Sequence, residues 1–383
     1  MATVTDKLEK LTQGNTGFAL DLYHSFRKAC PGNLFFSPYS VSACLAMALL
    51  GARGNTAVQI ARGLRLGEVD SETHAKLAAI QEALLRDGGK ANIELRIANR
   101  LWIRRGFPVL SQFLDWVNCY YRGGFQEVDF SQSQEVCRLI NEWVNKTTNA
   151  MIPEIVREDQ IRDAMLVLAN AIYFHGKWSA PFEKEATESR PFYLSSGKGI
   201  EVPMMEQRAA GWYARVPNLQ ILEKWYGEGE FSMVILLPDR YDGLEGLEAT
   251  LSGKNLDAWL SMLGGKDEID IQLPKFRIES KPPLKPALID MGMVDVFDAR
   301  KADFSGITGK RDLFINEAIH KAVIEVEEEG TRAAAATVLT LYFGATPDPR
   351  PRLVFHADRP FMFLIRHNPS RTILFLGRVV DPR

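Results

Sequence analysis

Cysteine is scarce in this chain: Cys30, Cys44, Cys119 and Cys137 are the only four among 383 residues. No two of them form a C-x-x-C pair, and none stands at a metal-binding spacing from a histidine. The pattern argues against a disulfide framework and against a structural zinc site. We therefore expect free, buried thiols, a usage that fits a reducing compartment.

Strong net charge and long apolar runs are also absent. The formal net charge is −2, with 25% charged and 46% hydrophobic residues, as in a globular protein with enough material for a core. No apolar run approaches the ~20 residues of a membrane-spanning helix. Residues 1–26 lack the uninterrupted apolar core of a secretory signal. These features predict that neither nucleic acid nor a membrane is a partner.

The motifs of common enzymes are missing as well. The sequence has no G-x-S-x-G elbow, no Walker loop, no H-E-x-x-H and no complete G-x-G-x-x-G after a strand. His320 lies in the strand-like run AIHKAVIEV. We expect it to be a hydrogen-bonded core residue, with a catalytic role as the alternative. The sequence thus predicts a protein that is not an enzyme and that holds no metal and no cofactor.

Helical patterns dominate the first half of the chain, and strand patterns dominate the second. Ser37 can cap a helix that has Pro38 in its first position. Further helical periodicity covers 54–63, 70–86, 109–121 and 133–149. Strands in blocks after helices predict an α+β architecture with mostly antiparallel sheets. No linker or repeat divides the chain, so we expect one domain over 1–383.

Two apolar strands are predicted to lie inside the largest sheet. The run LVLANAIYF at 166–174 is apolar almost throughout, as in a strand covered on both faces. The segment 314–327 is the second such strand.

The stretch EEEGTRAAAATVLTLYFGATP at 327–347 gives contradictory signals. Four alanines favour a helix, whereas the β-branched and aromatic residues that follow favour a strand. Such a conflict often marks a functional or strained site. The simpler interpretation is an ordinary strand followed by an alanine-rich surface helix.

Six segments of the sequence resemble signature segments of the serpin family, in the family's order. They are NLFFSPYSVSACLAMALLGARG, LVLANAIYFHGKWSAPF, IQLPKFRIES, LIDMGMVDVFD, INEAIHKAVIEVEEEGTRAAAAT and RPFMFLI…ILFLGRVVDP. The resemblance covers nearly the whole chain and is closest to the intracellular, ovalbumin-type branch (clade B). It implies three β-sheets with a large central sheet A, eight to nine helices, and an exposed reactive-centre loop at about 328–353.

The resemblance also implies a function, that of a suicide-substrate protease inhibitor. A target protease attacks the loop and forms an acyl-enzyme, and the cut loop then inserts into sheet A and traps the enzyme. The alternative is a non-inhibitory serpin that acts as a chaperone, carrier or storage protein. We expect a monomer whose location is cytoplasmic or nucleocytoplasmic, with an extracellular location as the alternative.

The hinge of the loop has small residues where insertion requires them. In a strand, Thr331, Ala333, Ala335 and Thr337 share one face, and overpacking a core costs ~1–3 kcal/mol per site. The charge of Arg332, where the family often has Glu, would face outward. The full hinge matched to the family is Glu328, Glu329, Gly330, Thr331, Arg332, Ala333, Ala334, Ala335, Ala336 and Thr337.

The resemblance places the scissile bond between Gly344 and Ala345. Because the loop is longer than in some relatives, cleavage after Phe343 or Tyr342 stays open. Gly344 before the cleaved bond suits an elastase-like serine protease. It also suits a papain-like cysteine protease that recognises Phe343, the second residue before that bond. Cleavage after Phe343 or Tyr342 would suit a chymotrypsin-like serine protease.

Five further positions match the family's moving parts. Ser37, Ser40, Asn170 and His320 match a polar cluster, the shutter, under two strands that must separate. Trp178 matches a tryptophan at the top of the opening, the breach, where its apolar area would hold the closed state. An ordinary buried network and ordinary core packing are the alternatives.

Overall fold

A computed structural model of the chain describes residues 4–70, 72–91, 93–122, 124–330 and 353–383. Within these ranges the side chains of residues 4–10, 266 and 267 are not described.

Eleven α-helices lie in the described residues. Nine of them have at least seven residues, in agreement with the predicted eight to nine, and the other two are single turns of four residues. Their bounds are α1 Val4–Ala29, α2 Pro38–Gly51, α3 Gly54–Gly63, α4 Thr73–Lys90, α5 Ser111–Tyr121, α6 Ser133–Thr147, α7 Glu158–Ile161, α8 Leu244–Thr250, α9 Gly253–Ser261, α10 Leu284–Asp290 and α11 Ser305–Thr308.

Fourteen β-strands lie in the same part of the chain. Their bounds are β1 Leu34–Phe36, β2 Glu94–Arg104, β3 Phe125–Val128, β4 Leu166–His175, β5 Glu188–Tyr193, β6 Gly199–Val216, β7 Leu219–Tyr226, β8 Phe231–Pro238, β9 Gly264–Pro274, β10 Phe276–Ser280, β11 Ile315–Val326, β12 Leu353–His356, β13 Phe361–His367 and β14 Thr372–Val379. Helices in the first half and strands in the second confirm the predicted α+β class.

Hydrogen bonds join the described strands into two networks. A five-stranded sheet has the order β10-β11-β4-β2-β3, and a nine-stranded network has the order β1-β14-β13-β8-β7-β6-β9-β12, with β5 also paired to β6. The 18-residue strand β6 is long enough to pair with β5 and β9 along one part and with β7 along another. Dividing the nine-stranded network at β6 gives, with the five-stranded sheet, the three groups that the resemblance implied.

The two apolar strands, β4 and β11, lie inside the five-stranded sheet. They pair with each other in parallel, and β2 and β10 flank them in antiparallel orientation. Our expectation that they belong to the largest sheet was therefore wrong, because β6 joins more strands into the other network.

Both faces of the five-stranded sheet are covered. On one face, buried α2 packs against β2, β4 and β14. On the other face, α6 buries Val136, Ile140 and Val144 against Trp102 and Val323. Because neither face meets water, β4 can be apolar along almost its whole length.

The four cysteines form no disulfide with one another. Cys44 is buried, Cys30 and Cys137 are half-buried, and Cys119 is exposed. Our expectation of buried thiols thus holds only for Cys44, since the other three lie near helix surfaces. None of the described helices is both long and apolar enough to cross a bilayer.

Candidate functional site: the seam between β4 and β11

The seam between β4 and β11 is the line along which the five-stranded sheet could separate. The two strands pair at eight positions, from Ile315 opposite Leu166 to Val323 opposite Tyr173. A parallel ladder has slanted hydrogen bonds and is slightly less stable per residue than an antiparallel one. Nearly all side chains along both strands are buried.

Polar side chains meet at the middle of this seam. His320 lies directly opposite Asn170, and the backbone N–H of Ser37 donates to His320 Nε2 over 3.0 Å. The other ring nitrogen, Nδ1, bonds to Asn170 Oδ1. The Asn170 amide in turn donates to Ser40 Oγ over 2.6 Å. The predicted shutter residues Ser37, Ser40, Asn170 and His320 therefore form one connected hydrogen-bond network.

These contacts assign a protonation state to His320. Because Nε2 accepts from Ser37, it carries no proton, and Nδ1–H is the donor to Asn170. The ring is fully buried, and this burial lowers its pKa to about 3. His320 is therefore neutral at neutral pH.

The geometry does not suit nucleophilic catalysis at this histidine. A serine nucleophile needs its hydroxyl within hydrogen-bond reach of the base. Here the backbone N–H of Ser37 meets His320, while the Ser37 hydroxyl donates to the carbonyl of Leu374. Both side chains are also fully buried. His320 is thus a hydrogen-bonded core residue, as the sequence predicted.

The network contains a fifth residue that sequence analysis missed. Asn99 of β2 lies opposite Asn170, and its Oδ1 accepts from Ser40 Oγ over 3.1 Å and from the Asn170 amide. The network therefore joins α2 to three adjacent strands. A polar residue within the strand IELRIANRLWIRR was the signal that could have found it.

Gly330 lies at the upper end of the seam, after the chain has left β11 and turned back. It forms antiparallel bridges with Glu327 on one side and with Lys177, which follows β4, on the other. Its φ is +122°, and a Cβ there would lie 2.2 Å from the carbonyl oxygen of Gly176. Only glycine fits this place without a backbone shift.

The segment 176–182 covers this turn. The backbone N–H of Trp178 donates to Glu329 O over 3.1 Å, and its indole Nε1–H donates to Glu327 O over 3.0 Å. The N–H of Phe182 donates to Glu328 O over 2.8 Å. Trp178 thus contacts the beginning of the hinge directly.

Charged side chains lie beside Trp178 and beside the turn that it covers. Its ring stacks on Tyr226 with centroids 4.2 Å apart, and the ammonium of Lys224 lies 5.1 Å from the ring centroid. Burial lowers the pKa of Lys224 to about 7. Glu328 is buried and accepts from Lys275 over 3.0 Å. Burial tends to raise the pKa of Glu328, but its hydrogen bonds outweigh this effect and hold the pKa below the usual value.

The remaining predicted site residues lie outside the described part of the chain. They are Thr331, Arg332, Ala333, Ala334, Ala335, Ala336 and Thr337 of the hinge, and Tyr342, Phe343, Gly344 and Ala345 around the predicted bond. Beyond them, β12 pairs in parallel with β9. Among the described residues, no group of three His, Cys, Asp or Glu side chains could hold a metal ion.

Comparison with known proteins decides the family. The model of the family Serpin (serine protease inhibitor) matches residues 13–382. The chain is a serpin.

This serpin is similar to curated proteins over nearly its whole length. It is 37% identical to Serpin B3 of Homo sapiens over 393 residues, covering 98% of this chain and 100% of that protein. It is 39% identical to the leukocyte elastase inhibitor of Equus caballus over 385 residues, with the same coverage. Its structure is similar to that of uncleaved ovalbumin, with a TM-score of 0.87, 28% identity, and coverage of 97% of this chain and 100% of that one. These relatives confirm the predicted ovalbumin-type resemblance.

Proposed function

We propose that this serpin inhibits a protease as a suicide substrate. The target endopeptidase cleaves the loop at about 328–353, and the part of the loop that begins at Gly330 then inserts between β4 and β11. Since residues 331–352 are outside the described structure, support comes from the beginning of the loop and from the sheet that would receive it.

The position of Gly330 is the observation that carries this proposal. Its antiparallel bridges to Glu327 and Lys177 place one residue between the extensions of β11 and β4. A strand that continued from Gly330 would be antiparallel to both neighbours, because β4 and β11 are parallel to each other. Insertion would therefore extend a pairing that already exists at one residue.

The exchange of hydrogen bonds favours insertion. Opening the seam breaks one parallel ladder of eight paired positions, and an inserted strand forms two antiparallel ladders in its place. About twelve inserted residues, each gaining ~0.5–1.5 kcal/mol of net hydrogen bonding, would contribute on the order of 10 kcal/mol before entropy.

The hinge composition agrees with this geometry. Thr331, Ala333 and Ala335 would share the face that enters the packed interior, and each is small. Arg332, Ala334 and Ala336 would share the other face. The Ser37–His320 network would then act as a latch that holds the seam closed until the loop enters.

The covalent step follows ordinary acyl transfer. The protease's serine hydroxyl attacks the carbonyl carbon of Gly344, and an ester forms while the bond to Ala345 breaks. Ala345 leaves as a protonated amine. Insertion carries the ester away from the geometry that its hydrolysis requires, so the enzyme stays attached.

The target that fits best is an elastase-like serine protease. Small Gly344 suits a shallow primary pocket, and curated relatives are named leukocyte elastase inhibitor. A chymotrypsin-like enzyme that cleaves after Phe343 or Tyr342, or a papain-like cysteine protease, is the alternative. The single domain, the monomeric state and the cytoplasmic or nucleocytoplasmic location stay predictions from sequence.

Mixing the protein with elastase, chymotrypsin and a papain-like cysteine protease tests this proposal. We expect elastase to form a complex that survives denaturing electrophoresis, and the released C-terminal fragment to begin at Ala345. A fragment that begins at Phe343 or Gly344 would move the bond and favour a chymotrypsin-like target. Complete cleavage with no trapped enzyme would instead support the non-inhibitory alternative.

A further inference from the structure

A large cleft lies where the end of α2 meets α3, α4 and α5, apart from the seam. Its volume is about 1150 Å³. The walls are mainly apolar and include Leu49, Leu50, Trp116 and Tyr120. Val58 of α3 also lines the cleft and is 57% exposed. A concave surface with apolar and aromatic walls and few polar groups is typical of a small-molecule site.

Three arginines and one carboxylate, Asp70, supply the formal charges of the cleft lining. Arg53 donates to the carbonyls of Leu50 and Ala52, at the end of α2. Arg65 forms a two-bond ion pair with Asp21 of α1. None of the described residues forms a hydrogen bond or ion pair with the side chain of Arg62. Its exposed positive charge is therefore available to a ligand.

Arg65 fixes the wall beside Arg62. Its backbone is left-handed, with φ +54°, and two glycines of α1 leave room for it. A Cβ on Gly17 would lie 2.5 Å from Arg65 Cδ, and a Cβ on Gly14 would lie 2.6 Å from its carbonyl oxygen. With the Asp21 pair, this close approach holds the loop after α3 against α1.

A second, more polar cleft of about 480 Å³ shares Arg62 and Arg65 with the first. Lys28 of α1 lines it as well, together with two carboxylates, Asp290 and the Asp21 that is paired with Arg65. Arg62 therefore lies where an apolar cleft and a polar one adjoin, and a second cation lines the polar side. This arrangement matches a ligand with an apolar body and an anionic end.

His74 leaves the apolar wall uncharged. It is hydrogen-bonded to the hydroxyl of Tyr121 over 2.8 Å, and burial lowers its pKa to about 4. The imidazole is thus neutral at neutral pH, and the positive charge of the cleft comes from its arginines.

We propose that this cleft binds one molecule of a single-chain anionic amphiphile, such as a long-chain carboxylate. The alkyl chain of the ligand would lie against Leu49, Leu50 and Trp116, and its carboxylate would bind to Arg62. Charge complementarity favours this occupant over a neutral or cationic one, because Arg62 would otherwise stay without a partner.

Calorimetric titration with laurate, below its micelle concentration, tests the proposal on the whole chain. We expect one molecule of laurate bound per protein chain. A second comparison uses two ligands with the same ten-carbon chain, and decanol should bind at least tenfold more weakly than decanoate because it has no charge. Arg62→Gln should weaken laurate binding about tenfold, since it removes the charge and leaves a shorter, neutral polar side chain. Val58→Asp should weaken it too, by placing a carboxylate on the exposed apolar wall.

Arg105→Gln is the matched control, because Arg105 is another exposed arginine and lines neither cleft. It should bind laurate as the unmodified chain does. Melting temperatures of all variants show whether each one folds. The proposal is overturned if laurate does not bind, if decanol equals decanoate, if Arg62→Gln binds normally, or if only anionic phosphatidylglycerol vesicles bind. No protease enters this test, so its result is independent of the proposed inhibition.

Discussion

At the residue scale, Gly330 has the strictest steric requirement in the site. Its φ of +122° and the 2.2 Å approach of a Cβ to Gly176 O exclude any side chain without a backbone shift. Strain of this kind costs ~1–3 kcal/mol. The shift would break the bridge to Lys177, where we propose that insertion begins.

Gly330→Ala should therefore turn a larger share of the inhibitor into cleaved substrate. We expect a severalfold rise in the number of inhibitor molecules consumed per trapped elastase, measured by titrating residual activity. Gly246→Ala in α8 is the control, since nothing lies within 4 Å of a Cβ there. An unchanged ratio for Gly330→Ala would show that the bridge plays no part in insertion.

The buried, neutral His320 should make the seam sensitive to acid. Its pKa is about 3 in the folded protein, below the ordinary value of 6.5. The unfolded chain therefore binds more protons between these pH values, so the stability from neutral His320 is present above about 6.5 and is lost as pH falls towards 3. Protonation of Nε2 would also place its new N–H against the backbone N–H of Ser37, so the hydrogen bond between them would be lost.

His320→Asn should lower the melting temperature at pH 7, because it breaks a buried network. It should also flatten the dependence of stability on pH between about 6.5 and 3. Urea unfolding at several pH values checks both effects. His24→Asn on α1, outside the network, serves as control and should keep the slope of the unmodified protein. Equal slopes for all three proteins would mean that His320 does not titrate as described.

At the element scale, the seam depends on the order of strands rather than on any single contact. Because β4 and β11 are parallel, a strand that reverses direction after β11 can pair in antiparallel fashion on both edges. Side chains of such a strand alternate between two faces. Neighbouring alanines in the hinge should therefore respond differently to the same substitution.

Ala335→Arg and Ala334→Arg form a matched pair for this expectation. Arginine at 335 would have to enter a packed interior, where an unpaired charge is very unfavourable. Arginine at 334 would face outward. We expect Ala335→Arg to reduce the yield of trapped elastase at least tenfold while cleavage continues, and Ala334→Arg to stay close to the unmodified protein. Equal yields from the two variants would contradict the assigned faces.

At the scale of the whole molecule, the proposal requires a metastable fold. A gain on the order of 10 kcal/mol on insertion is comparable to the total stability of an ordinary domain. The uninserted form can then persist only behind a kinetic barrier. We propose that the closed seam, the buried network around His320 and the cover provided by Trp178 would supply this barrier.

Protein cleaved in its loop should therefore melt at a clearly higher temperature than intact protein. Scanning calorimetry of both forms at one scan rate measures the difference. Cleaved Ala335→Arg should not show the increase, because its strand cannot enter the sheet. If the cleaved protein melts no higher than the intact one, the stored energy that drives trapping does not exist.

Local sequence patterns by themselves determined much of this serpin's secondary structure. Helical periodicity predicted 54–63, and α3 is Gly54–Gly63. The apolar run at 166–174 is β4, within one residue. Ser37 caps α2 as predicted, accepting a hydrogen bond from Ser40 N. These features depend on neighbours along the chain, so they can be read without knowledge of the fold.

Beyond the grouping of Ser37, Ser40, Asn170 and His320 that the family resemblance implied, only the tertiary structure decided which residues meet and through which atoms. The bonds of His320 to Asn170 and Ser37 span 150 and 283 residues, and the assignment of β4 to the smaller sheet depends on the pairing of β6. Lys224 and Arg62 gave no local signal that identifies them, and the polar position of Asn99 within an apolar strand did not show which residues it meets. The physical reason is that periodicity records which face of an element is buried, whereas a network or a cleft depends on how distant elements pack.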